Sequence, residues 1–174
     1  NTTNPATVND GSNWGYSAEL VGIVYNSKLG TINNSGNTVQ GLWCYASSTA
    51  TTNLNSRVIG ILAATDNVSN TGYFHKITSN TIGGTGGLKA GNGDASDAFV
   101  YGILSVVGRG TIHIKNNTVS NLWVNGTGDY GYLRGIHNNG GIRAEIQNNT
   151  ISNLVCAANN NHGAGADIRN KSLI

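Results

Sequence analysis

The stretch NNTVSNLWV at 116–124 is written again, nearly unchanged, as NNTISNLVC at 148–156. Both run paired Asn, Thr, a β-branched residue, a polar pair and Leu. Worn versions stand elsewhere, as GNTVQGLWC at 36–44, SNTIGGTGG at 79–87 and NTTNPATV at 1–8. Aligned on the Asn-Thr pair, they start at Asn1, Asn37, Asn80, Asn117 and Asn149, spaced 36, 43, 37 and 32 residues apart. A second marker keeps step with the first. GIVYN starts at Gly22, GILAA at Gly60, GILSV at Gly102 and GIHNN at Gly135, each with Leu20, Val58, Val100 or Leu133 two residues before it. Two markers drifting together define an internal repeat. Between them lies a third alternating segment, TIHI at 111–114 and IRAEI at 142–146. Each repeat thus holds three short stretches with period-2 apolar patterning, separated by turn residues.

Charged residues are only 10% of the chain, and Asn, Gly, Thr and Ser are over-used. That composition suits either a low-complexity coil or a turn-rich all-β repeat. Ile, Val and Leu recur along the whole chain, which selects the repeat. At 174 residues and 38% hydrophobic there is enough for one core, so one domain over 1–174 is expected. A net charge of +2 without a Lys/Arg cluster leaves no electrostatic footprint for nucleic acid or an anionic membrane. No apolar run approaches the roughly eighteen residues that a membrane helix needs. The chain opens on Asn1, has no Met and carries no signal peptide, so it reads as a mature piece or an excised segment of a longer chain.

Three strands per repeat, stacked repeat on repeat, describe an all-β solenoid, a parallel β-helix of about four to five coils. The corner of each coil needs a residue that accepts the left-handed backbone conformation, which Asn does better than most. The expectation is therefore that the column Asn37, Asn80, Asn117 and Asn149 turns the corner. The column before it, Gly36, Ser79, Asn116 and Asn148, is also small or turn-prone. At a coil spacing of about 4.8 Å, the four Asn side chains can pass amide hydrogen bonds from coil to coil, forming a structural ladder.

The repeats resemble those of the right-handed parallel β-helix of the pectin-lyase-like fold. They are most similar to the long Asn-Thr-Ile-x-Asn-Leu repeats, with a following Gly-Ile strand, of large surface and secreted proteins of gliding-type Gram-negative bacteria. The resemblance runs from Asn1 to about Ile168. It implies a right-handed coil and an extracellular setting, secreted or at the cell surface and often reached by type IX export. The roles it implies divide between adhesion and polysaccharide processing.

Cys44 and Cys156 each fall seven residues after a corner Asn, so they share a column, with Val8, Gly87 and Val124 as its other members. Three coils put them about 14 Å apart, whereas a disulfide needs Cα atoms within roughly 7 Å. Two buried free thiols acting as small hydrophobes are expected. The surplus length of each repeat falls after the Asn-Thr strand, at 45–57, 88–98, 125–132 and 157–165, and should form a ruff of polar loops on one side. Trp43 and Trp123 share an outward column at the loop roots, and Trp14, Tyr16, Tyr130 and Tyr132 precede the Gly-Ile strand. Exposed Trp and Tyr stack on sugar rings, although overlying loops more often bury them. Trp43, Trp123, Tyr130 and Tyr132 are the candidate binding residues, and a surface polysaccharide is their candidate ligand.

A glycan-cleaving enzyme of this architecture needs clustered carboxylates on adjacent coils, or acidic metal ligands beside an Arg or Lys base. The eight acids are scattered, and Asp94 and Asp97 form the only close pair. These two are the only candidate ligands for a calcium ion, which would take about 6–8 oxygens and so need backbone or water as well. No other cofactor is expected. His113, Lys115, Arg134 and His137 suggest a basic outward strip with no acid beside it to orient a base. An ice-binding face would need a second Thr column beside Thr38, Thr81, Thr118 and Thr150, and the chain has Gln40, Gly83, Ser120 and Ser152 there. The resulting expectation is a structural and adhesive module continued at both ends by more repeats or by copies of itself in a filament. The alternative is a polysaccharide lyase or hydrolase whose catalytic residues lie outside this segment or in the Asp94 loop.

Overall fold

The structure, a computed structural model of the chain, describes residues 18–26, 30–45, 55–64, 73–91, 97–107, 110–126 and 131–157. The first repeat start at Asn1, Trp14, Tyr16, Asp94, Tyr130 and most of the expected loop residues lie outside these. Within them, every regular element is a β-strand. One turn of the chain runs β1 (Ala18–Asn26), β2 (Thr31–Ser35), β3 (Thr38–Val39) and β4 (Leu42–Cys44). The next runs β5 (Asn55–Ala64), β6 (Tyr73–Thr78), β7 (Thr81–Ile82) and β8 (Leu88–Ala90). A third comprises β9 (Asp97–Val106), β10 (Gly110–Lys115) and β11 (Thr118–Val124), and a fourth β12 (Gly131–Asn138), β13 (Arg143–Gln147) and β14 (Thr150–Cys156).

These strands build three parallel sheets, and each sheet takes one strand or strand pair from every turn. The first sheet is ordered β1-β5-β9-β12 and the second β2-β6-β10-β13. The third stacks β3 and β4, β7 and β8, β11, and β14. The chain visits the sheets in the same order each time, as a parallel β-solenoid requires. Because the repeat is nearly regular, each residue pairs with its counterpart one turn away. Thr38 faces Thr81, then Thr118, then Thr150. Leu42, Leu88, Leu122 and Leu154 line up in the same way.

The core lies between the sheets. Val58, Ile61, Val100 and Ile103 of the first sheet, Ile77, Ile112 and Ile114 of the second, and Ile82, Leu88, Val119 and Leu122 of the third are all essentially inaccessible. The second marker has a packing cause. A Cβ on Gly102 would lie 2.4 Å from Val119 Cγ1 and 2.5 Å from the Gly135 carbonyl oxygen, and one on Gly60 would lie 2.5 Å from Ile82 Cγ2. The glycine column thus makes room for the β-branched column of the Asn-Thr strand across the core. The strict alternation expected for this strand also breaks there. Val58, Ile61 and Ala63 belong to the interior, while Ile59, Phe99, Tyr101 and Leu104 form a second buried cluster on the other face.

The corner differs from expectation by one residue. The left-handed conformation is taken by Gly36 (φ 71°), Ser79 (φ 56°), Asn116 (φ 57°) and Asn148 (φ 55°), not by the Asn that follows each. A second left-handed column lies within the Asn-Thr segment, at Gly41 (φ 71°), Gly87 (φ 64°), Asn121 (φ 56°) and Asn153 (φ 51°). It divides β3 from β4 and bends β11 and β14.

The corner Asn residues are occupied in hydrogen bonding instead. Asn37 Nδ2 donates to Asn80 Oδ1 (3.0 Å), Asn80 Nδ2 to Asn117 Oδ1 (3.0 Å) and Asn117 Nδ2 to Asn149 Oδ1 (2.9 Å). Each acceptor oxygen also takes the backbone N–H of the Asn on the turn before, at 2.9–3.0 Å. The second amide hydrogen goes to a carbonyl of the neighbouring turn, from Asn80 to Asn34, from Asn117 to Ile77 and from Asn149 to Ile114. Asn80 and Asn117 are 1% exposed, and every amide group of these two residues has a partner.

The cysteine column also needs correction. Cys44 pairs with Ala90, Ala90 with Val124, and Val124 with Cys156. Gly87 is not a member, because the extra turn at 83–86 pushes the second repeat three places out of count. For the same reason 88–90, expected as loop, is strand β8. Both thiols are free, but only Cys44 is buried, and Cys156, on the last described turn, is half-buried.

Candidate functional site

The outward residue between the inward Leu and the cysteine column is Trp43 on the first turn, Lys89 on the second, Trp123 on the third and Val155 on the fourth. Strand alternation aims these four side chains away from the core. Trp43 is 51% exposed and Val155 44%, with Trp123 half-buried. The loops expected to overlie the tryptophans fall largely outside the described residues. Together with Asn125 and Ala157, the column lines an open groove of about 310 Å³.

The groove is held from beneath. A Cβ at Gly87 would lie 2.0 Å from Trp123 Cζ3, so the indole rests on bare backbone at the second left-handed column. Lys89 Nζ stands 6.0 Å from the centre of the Trp43 ring, at the outer limit of a cation–π contact. The result is an aromatic, cationic, aromatic and aliphatic sequence at one residue per turn, about 4.8 Å apart.

No family model, curated protein or solved structure matches the chain.

Of the other candidates, the two described ones, Tyr132 and Asp97, do not line this groove. Tyr132 lies in the first sheet, stacked on Phe99 at 5.4 Å, with the Arg134 guanidinium 5.2 Å from its ring. Tyr130 is outside the described residues. Asp97 begins β9 opposite Asn55, and Asp94 is outside the described residues, so the acidic pair has no described geometry. Among the described residues no group of three or more His, Cys, Asp and Glu side chains gathers as metal ligands would.

The basic strip divides in two, and one half does hold an acid. In the second sheet Lys76, His113 and Glu145 occupy one column. Glu145 accepts from Lys115 Nζ at 2.6 Å and from Arg143 at 2.8 Å, and lies 3.3 Å from His113 Nε2. The Lys115 hydrogen bond, aided by the neighbouring cations, holds the Glu145 carboxyl below its ordinary value. Desolvation pushes the His113 imidazole down, with Glu145 pulling the other way. Phe74 meets His113 edge-on at 4.6 Å. The other half is in the first sheet, where Arg134 contacts His137 at 3.0 Å. Sequence counting missed Glu145 because it lies thirty residues from Lys115 and pairs with it from the next turn; the only available signal was the shared column of His113 and Glu145.

Proposed function

We propose that the chain is a segment of a right-handed parallel β-helix that serves as a structural and adhesive module outside the cell, secreted or at the surface. In this reading it contacts glycans through the Trp43–Lys89–Trp123–Val155 face. The observation that carries the proposal is that face. Two tryptophans stand in one column on a rigid sheet, one of them half exposed, along a groove open to solvent. Sugar rings present C–H faces that stack on indole, and two indoles fixed in a line suit an extended polymer better than a small molecule.

Continuation of the stack, by further repeats or by copies of the chain stacked head to tail, is supported by the lower burial of the two outermost described turns. Ile82, Val119, Leu88 and Leu122 are at 0% exposure, whereas Ile151 and Leu154 in the same columns are only partly buried. On the opposite side Val24 is 55% exposed, and Leu20 and Ile23 are partly buried. Further turns stacked beyond the described ones would bury these apolar groups.

Affinity electrophoresis through gels containing neutral or acidic polysaccharides tests the glycan contact. Retardation of the chain, lost in Trp43→Ala, supports it, and unretarded migration in every gel refutes it. The second reading, a polysaccharide lyase or hydrolase, is favoured by one observation, the carboxylate of Glu145 held beside His113 and Lys115. It requires glycan cleavage that Glu145→Gln abolishes.

A further inference from the structure

We propose that a second copy of this chain docks its first turn on the fourth turn of the stack, one regular step along, and that Asn34 keeps this junction weaker than a step inside the chain. The inference rests on the reading that the stack is continued, and names what continues it. On each internal step the backbone N–H and one Nδ2 hydrogen of an Asn donate to Oδ1 of the Asn on the next turn, from Asn37 to Asn80, Asn80 to Asn117 and Asn117 to Asn149. The column therefore has unlike ends. Among the described residues, the backbone N–H and one Nδ2 hydrogen of Asn149 have no acceptor, and Oδ1 of Asn37 has no donor. The fourth turn of one copy thus offers the two donors that the first turn of the next copy lacks.

The other columns fit the same register. Stacking sets Thr38 over Thr150, Val39 over Ile151 and Leu42 over Leu154, which already share columns through the intervening turns. Ile151, Leu154, Leu20 and Ile23 are only partly buried, and the junction covers them. Gly22 would stand over Gly135, so the glycine column that makes room for Val39 and Ile151 continues unbroken. Arg134 would face Val21, Arg143 Thr31 and Glu145 Asn33, so no described charge meets a like charge. Such a contact joins two different surfaces and repeats without closing, which builds a filament.

Asn34 sets the first turn apart. It is 1% exposed and stands in the inward column of Ile77, Ile114 and Ile146. On internal steps the second Nδ2 hydrogen reaches back to a carbonyl of the turn before, as from Asn117 to Ile77 and from Asn149 to Ile114. Asn37 instead gives that hydrogen to Oδ1 of Asn34 at 2.6 Å, within its own turn. The first turn is thereby satisfied without a turn beneath it, and at a junction the Ile146 carbonyl goes without the donor that Ile77 and Ile114 receive. The junction has two of the three column bonds of an internal step, so copies come apart more readily than turns.

Cross-linking tests the docking and its register together. Thr38 and Thr150 are exposed and share a column, three steps apart within one chain and one step apart across the junction. Full-length Thr38→Cys and Thr150→Cys chains, with Cys44 and Cys156 replaced by alanine, are mixed and treated with dibromobimane, whose two arms bridge only closely placed thiols. A linked dimer is expected from this mixture and not from Thr38→Cys with Thr118→Cys. In sedimentation velocity, Asn34→Ile should tighten self-association about tenfold by freeing the third bond. Asn149→Asp keeps an acceptor for Asn117 and loses the Nδ2 hydrogens, and should weaken association about as much. Thermal melts report that each variant folds. No linked dimer, or equal linking in the two mixtures, overturns docking in this register and leaves continuation by further repeats standing. Association that Asn34→Ile leaves unchanged or weakens overturns the role of Asn34. At a dilution where the chain is monomeric, the Asn149 amide should exchange with solvent at least about tenfold faster than that of Asn117. Equal protection of the two means that the fourth turn is already covered, and overturns continuation itself along with the docking.

Discussion

Removing the Asn117 side chain as Asn117→Ala tests what the Asn column does. The substitution deletes four hydrogen bonds at a site 1% exposed. Oδ1 no longer accepts from the Asn80 backbone N–H and Nδ2 (3.0 Å each), and Nδ2 no longer reaches Asn149 Oδ1 and the Ile77 carbonyl (2.9 Å each). Asn149 Oδ1 keeps the Asn117 backbone N–H. The backbone N–H and one amide hydrogen of buried Asn80 lose their partner, while its Nδ2 keeps the Asn34 carbonyl. Orphaning a buried donor costs about 1–3 kcal/mol, and the vacated amide volume admits partial relaxation, so a loss of about 3 kcal/mol is expected. The neighbouring Asn116→Ala makes the control. Asn116 is exposed and has φ 57°, so alanine there incurs only the left-handed penalty, about 1 kcal/mol, and Asn116→Gly should be neutral or stabilising. Urea melts followed by far-ultraviolet circular dichroism and tryptophan fluorescence, with coincident transitions, give the midpoints at constant slope. A loss below about 1 kcal/mol for Asn117→Ala, or a larger loss for Asn116→Ala, would refute the assignment of hydrogen bonding to one column and backbone conformation to the other.

Gly102→Ala should destabilise by about 1–3 kcal/mol because its Cβ meets both Val119 and the Gly135 carbonyl. Val119→Ala in the same chain should recover part of that loss, and strict additivity in the double-mutant cycle would rule out the packing explanation. Cys44, buried and with its thiol pushed up chiefly by desolvation, should label with a thiol reagent only on unfolding, whereas Cys156 should label first. Mass spectrometry detecting an intramolecular bridge would contradict the register. His75 is 1% exposed, and burial pushes its imidazole below 6.5. The unfolded chain therefore binds the proton more readily. Stability is full above about pH 6.5 and falls as pH drops below it, levelling off under the folded value. The same melts repeated in His75→Leu should lose this acid-side slope, and an unchanged slope would assign it to another group.

Much of the fold was legible because a solenoid is nearly one-dimensional. Each turn hydrogen-bonds only to its neighbours, so a residue's column can be counted from a local marker, and Asn37, Asn80, Asn117 and Asn149 fell into line by counting alone. Counting failed where length changed inside a turn. The extra turn at 83–86 moved Ala90 into the cysteine column and Lys89 between the tryptophans, so the middle of the groove was invisible from the sequence. It also failed at the corner. Paired small or polar residues all tolerate a left-handed backbone, and only the backbone trace distinguishes Asn116, which bends, from Asn117, which bonds.

By itself the sequence determined the all-β class, the repeat, the three strand segments per turn, the shared outward column of Trp43 and Trp123 and the separation of the two cysteines. All of these follow from periodicity along one chain, where apolar spacing and turn residues act locally. Only the tertiary structure decided what faces what across turns and across the core. Glycine is required opposite Val119, Glu145 gathers Lys115, Arg143 and His113, Tyr132 belongs with Phe99 and not with the tryptophans, and Trp43 stays open to solvent. The physical reason is the same in each case. Backbone pairing carries a residue's height along the stack in its own sequence, but contact between side chains depends on the lengths and bends of the intervening segments, which place two distant residues within a few ångströms or leave them on different sheets.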